Sequence, residues 1–142
     1  MTNPYRIALA DDDSRFRPLL KRFLETGPGL EVACEACDGS HLLSLLGGFQ
    51  KVPQMAILDV SMPNLGGIEM TSRVKAAYPG LKVLILSVHR EPEYVREARS
   101  AGADGYVLKE DVDTELFPAI ERIRSGGAYF SAHLNADDRQ VN

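Results

Sequence analysis

The sequence predicts an α/β fold, in which a doubly wound sheet of five parallel strands has helices on both faces. Two observations support this prediction. Short apolar runs alternate with segments whose apolar residues recur at helical spacing, and this unit repeats along the first 127 residues. The connections between units are short, and parallel strands joined by helices require right-handed crossovers that cover both faces of the sheet.

The first unit combines a strand at residues 5–10 with a helix that ends in the turn at residues 26–29. Asp13 or Ser14 can cap this helix. Because Pro18 lacks the backbone donor that a helix interior needs, we expect the helix to start late or to bend. The residues expected on its buried face are Phe16, Leu19, Leu20, Phe23 and Leu24.

The second and third units have strands at residues 30–36 and 55–59. Asp38 is expected to cap the second helix. The third strand is apolar up to its last residue, which predicts burial on both faces, and the helix after it is predicted over residues 67–78. The expected core residues are Leu42, Leu45, Leu46 and Phe49 in the second helix, and Met70, Val74, Ala77 and Tyr78 in the third.

The fourth and fifth units have strands at residues 81–87 and 105–108. The helix at residues 92–101 has a thin apolar face, so we expect it to be among the less stable elements. The last helix is predicted from Asp113 or Thr114 to about residue 124. The expected core residues are Tyr94, Val95 and Ala98 in the fourth helix, and Leu116, Ile120 and Ile123 in the fifth.

Residues 1–127 are therefore predicted to form one domain, and residues 128–142 a polar tail or the start of a linker. The formal net charge of −4 argues against nucleic-acid binding by this segment. No apolar run approaches the roughly 18 residues of a membrane helix, and the N-terminus lacks a signal pattern, so a cytoplasmic location is expected. The basic residues Arg15, Arg17, Lys21 and Arg22 are interpreted as a solvent-exposed helix face.

Cys34 and Cys37 form a Cys-x-x-Cys pair, and His41 follows four residues later. A redox pair or half of a zinc site would use these residue types, but a second pair that would complete four zinc ligands is missing. Cys34 also lies inside an apolar strand pattern. We therefore interpret both cysteines as small buried thiols.

Polar side chains of different chemistry stand at the ends of four predicted strands. In a parallel sheet the carboxyl ends of the strands gather at one edge, where ligands bind. Each of these residues alone could be an ordinary cap or surface group, but four complementary groups at one edge favour an active site. They are Asp11, Asp12 and Asp13 after the first strand, Asp59 at the end of the third, Ser87 at the end of the fourth and Lys109 after the fifth.

The order of the strands decides whether the acids meet. In one of the two common doubly wound orders, 2-1-3-4-5, the first and third strands are neighbours, which brings Asp11, Asp12 and Asp59 together. Crowded carboxylates repel unless a cation enters, and a hydrated all-oxygen site suits Mg²⁺ or Mn²⁺. With Lys109 and Ser87 added, this arrangement predicts phosphoryl transfer to Asp59 as the nucleophile.

The sequence resembles the receiver domains of two-component response regulators over residues 5 to about 127. Four motifs carry the resemblance: Ala-Asp-Asp-Asp-Ser at 10–14, Leu-Asp-Val-Ser-Met-Pro-Asn-Leu-Gly-Gly at 58–67, Leu-Ser at 86–87 and Ala-Gly-Ala-Asp-Gly-Tyr-Val-Leu-Lys at 101–109. The resemblance implies the flavodoxin-like strand order 2-1-3-4-5. It also implies that the protein is a signalling module, which catalyses only its own phosphorylation and dephosphorylation.

The resemblance assigns roles to the residues at the strand ends. Asp59 is implied to accept a phosphoryl group from a histidine kinase or a small phosphodonor. Asp11 and Asp12 are implied to bind Mg²⁺ together with Asp59 and the backbone carbonyl of Ser61. Lys109 is implied to pair with the phosphate.

Two positions belong to the implied switch, and two others are implied to tune dephosphorylation. Ser87 resembles the switch hydroxyl and Tyr106 the switch aromatic, so we expect Ser87 to move toward the phosphate and leave space into which Tyr106 turns. The residues two beyond Asp59 and Ser87 correspond to positions that tune dephosphorylation. Those residues are Ser61 and His89.

The implied partners are a histidine kinase and an output domain. The fourth helix, fifth strand and last helix are expected to form a homodimer or to bind that domain. Glu110 and the ending Gly-Gly-Ala-Tyr-Phe-Ser are most similar to regulators with a LuxR-type helix-turn-helix, a DNA-binding domain that is not expected within these 142 residues. Gly66 departs from the family pattern, because an acidic residue is frequent there.

Three other functions share parts of this pattern. A pseudo-receiver would use the fold for protein interactions without phosphorylation, but the complete set of acids, hydroxyl and lysine argues against it. A flavin or nucleotide carrier would need a Gly-rich or Ser/Thr-rich phosphate loop after the first strand, where this chain has three carboxylates. A metal-dependent phosphatase would need a second catalytic acid shortly after Asp59, and the sequence has none there.

Overall fold

The computed structural model describes residues 3–62 and 64–131. One sheet of six parallel strands has the order β2-β1-β3-β4-β5-β6. The strands are β1 (Tyr5–Ala10), β2 (Leu30–Ala36), β3 (Met55–Asp59), β4 (Lys82–Ser87), β5 (Gly105–Leu108) and β6 (Tyr129–Phe130). The helices are α1 (Phe16–Glu25), α2 (Gly39–Gly47), α3 (Gly67–Ala77), α4 (Pro92–Ser100) and α5 (Val112–Arg124), with a 3₁₀ turn (Lys109–Asp111) before α5. The predicted order of the first five strands is confirmed.

The core lies in two layers, one on each face of the sheet. Helices α2, α3 and α4 pack on one face, and α1 and α5 pack on the other. Every residue of β3 is buried, as the apolar run predicted. Residues of β1 and β3 pair directly, from Ile7 with Met55 to Ala10 with Leu58. This pairing places the residues that follow the two strands at the same edge of the sheet.

Helix α1 starts late, which accounts for Pro18. The helix begins at Phe16, so Pro18 is its third residue, where a backbone N–H has no partner within the helix in any case. The carboxylate of Asp13 accepts the N–H groups of Arg15 and Phe16 at 2.9 and 3.0 Å, as a cap should. The expectation that Leu19 is buried was wrong, since it is 60% exposed and the buried row is Leu20 with Leu24.

The second and third helices differ from the prediction in the end of α3 and in the burial of a few residues. Asp38 caps α2 by accepting the N–H of His41 at 2.8 Å. Leu42 and Leu46 are fully buried, whereas Leu45 and Phe49 are half-buried. The predicted burial of Ala77 was wrong, because α3 ends at that residue and Ala77 is exposed, while Thr71 is buried beside Met70 and Val74.

Helix α4 buries only Val95 and Ala98, so its predicted thin apolar face is confirmed. Helix α5 begins at Val112, just before the predicted start, and buries the three expected residues together with Ala119. Within the described ranges, no helix combines the length and the apolar character that crossing a bilayer would need.

Strand β6 was not predicted, so the expected five-stranded sheet was one strand short. Tyr129 and Phe130 pair with Gly105 and Tyr106 of β5, beyond the predicted domain end at residue 127. The guanidinium of Arg99 in α4 lies 4.1 Å from the centre of the Phe130 ring. Two residues are too few to produce a periodic signal. The remainder of the predicted tail, residues 132–142, lies outside the described residues.

Candidate functional site

The structure brings together the acids that the sequence placed on separate strand ends. Asp11 and Asp12 follow β1, and Asp59 is the last residue of β3. One carboxylate oxygen from each of the three residues lies within 4.8 Å of the others. Asp11 and Asp59 are 2% and 7% exposed, whereas Asp12 is exposed, so the group reaches solvent at Asp12. We call these three residues and Lys109 the acidic pocket.

Lys109 supplies the positive charge of the acidic pocket. Its Nζ atom lies 2.9 Å from Oδ2 of Asp11 and 3.5 Å from Oδ2 of Asp59. The same ammonium lies 4.6 Å from the centre of the Phe16 ring, at the start of α1. Although burial opposes the charged form, the hydrogen bond to Asp11 and the charge of Asp59 raise the pKa of Lys109. The side chain is therefore held as an ammonium between two carboxylates.

The environment of Asp59 makes its negative charge unfavourable. Burial and the charge of Asp11 raise the pKa of Asp59, against the opposing effects of Lys109 and the Ser61 amide. A divalent cation among the three carboxylates would relieve this repulsion. The donor set also fits the cation, because it consists of hard carboxylate oxygens and opens to water at Asp12. The residues present therefore fit a Mg²⁺ or Mn²⁺ site.

Backbone groups fix both buried carboxylates. Oδ1 of Asp11 accepts the N–H of Asp13 at 2.9 Å, and Oδ1 of Asp59 accepts the N–H of Ser61 at 3.3 Å. A Cβ atom on Gly67 would lie 2.3 Å from the carbonyl oxygen of Asp59. Since no side chain tolerates that distance, glycine is required where α3 begins next to Asp59.

Arg17 supports the acidic pocket from α1. It donates from Nη1 to the carbonyl oxygen of Asp11 at 2.6 Å, and its Nε lies 3.4 Å from Glu35. The ammonium of Lys21 lies 3.5 Å from the same Glu35. The interpretation as a solvated helix face was therefore wrong for Arg17, whose side chain is 21% exposed, whereas the side chain of Lys21 is 41% exposed and pairs with Glu35 at the surface.

The two predicted switch residues are buried and meet at His89. The Oγ atom of Ser87 accepts the backbone N–H of His89 at 2.9 Å. The hydroxyl of Tyr106 donates to the backbone carbonyl of His89 at 2.7 Å. Burial raises the pKa of Tyr106 to about 12, against the opposing effect of the Ser87 hydroxyl. Both side chains are inaccessible to solvent, and the ring of Tyr106 already lies inside the protein.

The two predicted modulating residues also contact each other. Ser61 Oγ and His89 Nε2 are 3.2 Å apart, and the imidazole is stacked on the ring of Tyr94 in α4, with centroids 4.2 Å apart and planes 8° from parallel. We call Ser61, Ser87, His89, Tyr94 and Tyr106 the His89 cluster. The positions of Tyr94 and Phe16 relative to the site were not predicted from the sequence, because both have the pattern of ordinary apolar residues on a helix face.

The cysteine pair does not form a metal cluster. Among the described residues, the group of three or more potential metal ligands is Asp11, Asp12 and Asp59. Both thiols are free, and Cys37 Sγ lies 3.6 Å from Nδ1 of His41. The interpretation of both as buried thiols holds only in part, because Cys34 is half-buried and Cys37 is exposed after the end of β2.

Comparison with known proteins gives consistent matches. The profile of the family described as "Response regulator receiver domain" matches residues 7–121. The transcriptional regulatory protein DegU of Brevibacillus brevis is 35% identical over 127 residues, which cover 89% of this chain and 53% of DegU. UhpA of Escherichia coli is 34% identical over 128 residues, which cover 90% of this chain and 63% of UhpA. The chain thus spans between about half and two thirds of the length of these relatives.

Solved structures agree with the sequence matches. A LuxR-family two-component response regulator from Aurantimonas sp. has a TM-score of 0.91 and 30% identity, with 98% of each chain covered. The signal receiver domain of NarL from Mycobacterium tuberculosis has a TM-score of 0.81 and 31% identity, and covers 88% of this chain and 99% of that one.

Proposed function

The chain belongs to the response regulator receiver domain family, and on this premise we propose that it accepts a phosphoryl group on Asp59 from a histidine kinase or a small phosphodonor. The observation that carries the proposal is the acidic pocket. Three carboxylates and one ammonium from four separate chain positions converge there, and the buried Asp59 is the acid nearest to the lysine after Asp11. A structural role alone would not require a third acid.

The proposed reaction uses groups that are already in place. A carboxylate oxygen of Asp59 attacks the phosphorus of the donor, the new O–P bond forms, and the bond from phosphorus to the donor's imidazole nitrogen or acetate oxygen breaks. Lys109 then pairs with a phosphoryl oxygen, which requires only a short movement away from Asp11. The Ser87 hydroxyl donates to another oxygen.

Mg²⁺, or Mn²⁺, is the proposed cofactor. The side chains of Asp11, Asp12 and Asp59 and the carbonyl of Ser61 would hold it. When bound, the cation supplies positive charge against the carboxylates and the phosphoryl oxygens. The pKa of Asp59 is raised by burial and then by the charge of Asp11, and this supports the assignment because a bound cation would offset both effects.

We propose that the signal leaves the site through His89. Ser87 and Tyr106 both bond the backbone of this residue, so a shift of Ser87 toward the phosphate pulls on the loop before α4. The ring of Tyr106 is already buried, so the expected inward turn is not needed to transmit the change. The thinly packed α4 is the element most easily displaced.

The proposed partners are a histidine kinase and a DNA-binding output domain in the cytoplasm. A homodimer through α4, β5 and α5 is a further proposal. Strand β6 pairs with the outer edge of β5, so the proposed dimer surface would include β6 between α4 and α5. Sedimentation with and without beryllofluoride and Mg²⁺ tests it. We expect a larger species with the phosphoryl mimic, and a monomer under both conditions would contradict the dimer.

Intact-mass measurement tests the proposed function. After incubation with acetyl phosphate and Mg²⁺, we expect one added phosphate on the wild type and none on Asp59→Asn. Asp113→Asn, an exposed acid in the first turn of α5, is the matched control and should be labelled like the wild type. Labelling of the Asp59 variant would refute the site. The absence of label on the wild type would favour the pseudo-receiver, an interaction module that works without phosphorylation.

A further inference from the structure

We propose that Tyr94 is a positioning residue, which acts through His89 and Ser61 to slow hydrolysis of the phosphoryl group on Asp59. This inference rests on the proposed function. It concerns a helix residue that neither touches the acidic pocket nor belongs to a motif of the sequence analysis. The observation behind it is the parallel stacking of the Tyr94 and His89 rings.

An unbroken series of hydrogen bonds joins Asp59 to Ser87. The Ser61 amide donates to Asp59 Oδ1 at 3.3 Å, Ser61 Oγ contacts His89 Nε2 at 3.2 Å, and the His89 amide donates to Ser87 Oγ at 2.9 Å. The series connects the loop after β3 with the loop after β4. Both loops flank the carboxylate that accepts the phosphate, so the side-chain link between Ser61 and His89 closes one side of its surroundings.

The link depends on where the imidazole ring is held. The backbone of His89 is fixed by Ser87 and Tyr106, but its side chain is 30% exposed. Among the described residues, the ring contacts not only Ser61 but also the exposed Glu91, 3.8 Å from its Nδ1 atom, and Tyr94, on which its face is stacked. A 3.8 Å contact with an exposed carboxylate is a weak constraint, whereas a stacked ring pair restricts the plane of the imidazole. Tyr94 therefore keeps the ring turned toward Ser61.

Hydrolysis gives this contact a consequence that can be measured. Water attacks phosphorus, the bond from phosphorus to the Asp59 oxygen breaks, and inorganic phosphate leaves with both protons of the water. With the Ser61–His89 link in place, the two side chains exclude water from that side of the acceptor. When the stacking is lost, the imidazole turns into solvent and water enters. Because Tyr94 lies on α4, a partner that moves α4 would change the lifetime of the phosphorylated state.

The experiment compares Tyr94→Leu, Tyr94→Phe and Ser61→Ala with the wild type in the full chain. Each protein is phosphorylated with acetyl phosphate and Mg²⁺, the donor is removed, and loss of the phosphate is followed by intact mass. We expect Tyr94→Leu to lose its phosphate about two- to tenfold faster than the wild type. This factor corresponds to the free energy of a stacked aromatic pair, converted to a ratio of rates. Tyr94→Phe should match the wild type, since it keeps the ring.

Four further readouts separate positioning from general damage to the fold. The rate of phosphorylation and the affinity for Mg²⁺ should be unchanged in Tyr94→Leu. The double variant of Tyr94→Leu with Ser61→Ala should hydrolyse no faster than Ser61→Ala alone, because both act on one link. Tyr78→Leu, at the end of α3, is the control for loss of a half-buried tyrosine and should keep the wild-type lifetime.

Each alternative outcome overturns the inference. A wild-type or longer lifetime in Tyr94→Leu would do so, as would a short lifetime in Tyr94→Phe or additive effects in the double variant. If the wild type takes up no phosphate, the proposed function fails and this inference fails with it. If the wild type is labelled and only the Tyr94 variants disagree, the proposed function stands and the inference alone is wrong.

Discussion

The acidic pocket and the His89 cluster occupy neighbouring strand ends but are held by different forces. In the acidic pocket, charges dominate: Lys109 lies between two carboxylates, and burial and Asp11 raise the pKa of Asp59. The described contacts of the His89 cluster are mostly hydrogen bonds of uncharged groups and one pair of stacked rings. In the proposed function, the acidic pocket supplies the chemistry and the His89 cluster changes shape in response to it.

The largest effect should follow from removing the positive charge of the acidic pocket. In Lys109→Met, Asp11 and Asp59 lose their counter-charge and the phosphoryl group loses its ammonium partner. We expect the rate of phosphorylation by acetyl phosphate to fall about 100-fold. Lys51→Met, at an exposed lysine, is the control. A rate close to that of the wild type would mean that charge does not govern this region.

Asp59→Asn should stabilise the protein when divalent cations are absent. Because the pKa of Asp59 is raised in the folded state, the favourable contribution of its neutral form is present below the unfolded pKa of about 4 and is lost as pH rises. Asparagine stays neutral, so at pH 7 with EDTA we expect a melting temperature roughly 2–5 °C higher, and no difference near pH 4. Thermal melts across pH test this. A lower melting temperature at pH 7 would contradict the proposed repulsion.

The His89 cluster should respond to the loss of a single neutral hydrogen bond. Tyr106→Phe removes the donor to the His89 carbonyl, and we expect urea unfolding to show a loss of about 1 kcal/mol in the free energy of unfolding. Because the pKa of Tyr106 is raised to about 12, its stabilising effect is complete below pH 10 and is lost as pH rises toward 12. The deficit of the variant should shrink over that interval. A deficit independent of pH would argue against the buried hydroxyl as its cause.

The smallest effect is expected at the aromatic border of the acidic pocket. Phe16→Leu removes the ring face from the ammonium of Lys109 but keeps an apolar side chain. We expect phosphorylation by acetyl phosphate to slow about two- to fivefold, whereas Phe16→Tyr should keep the wild-type rate. Equal rates in all three proteins would show that the carboxylates alone position the lysine.

The residues of the acidic pocket were all named as site residues from the sequence, and those of the His89 cluster were named except for Tyr94. Asp59 and Lys109 each stand at the end of an apolar run, and the strand order implied by the family resemblance places both run ends at the same edge of the sheet. Nothing in the sequence links Tyr94 or Phe16 to the site. Helical periodicity predicts that an aromatic side chain is buried, but it does not indicate which residue the ring contacts. The burial of Leu19 and Ala77 was predicted wrongly for a related reason. Periodicity identifies the buried face of a helix, but the exposure of residues at the edge of that face depends on where the helix begins and ends. Strand β6 was missed because only its pairing with β5 defines it.

In the proposed function, the acidic pocket holds a divalent cation and directs a phosphoryl group onto Asp59. A crystal structure of the protein with beryllofluoride and Mg²⁺ tests it most directly. We expect beryllium to be bonded to a carboxylate oxygen of Asp59. The ammonium of Lys109 and the hydroxyl of Ser87 should contact its fluorides, and Asp11 and Asp12 should bind Mg²⁺. Beryllofluoride on another residue, or a cation bound away from these acids while Asp59 stays unmodified, would contradict it.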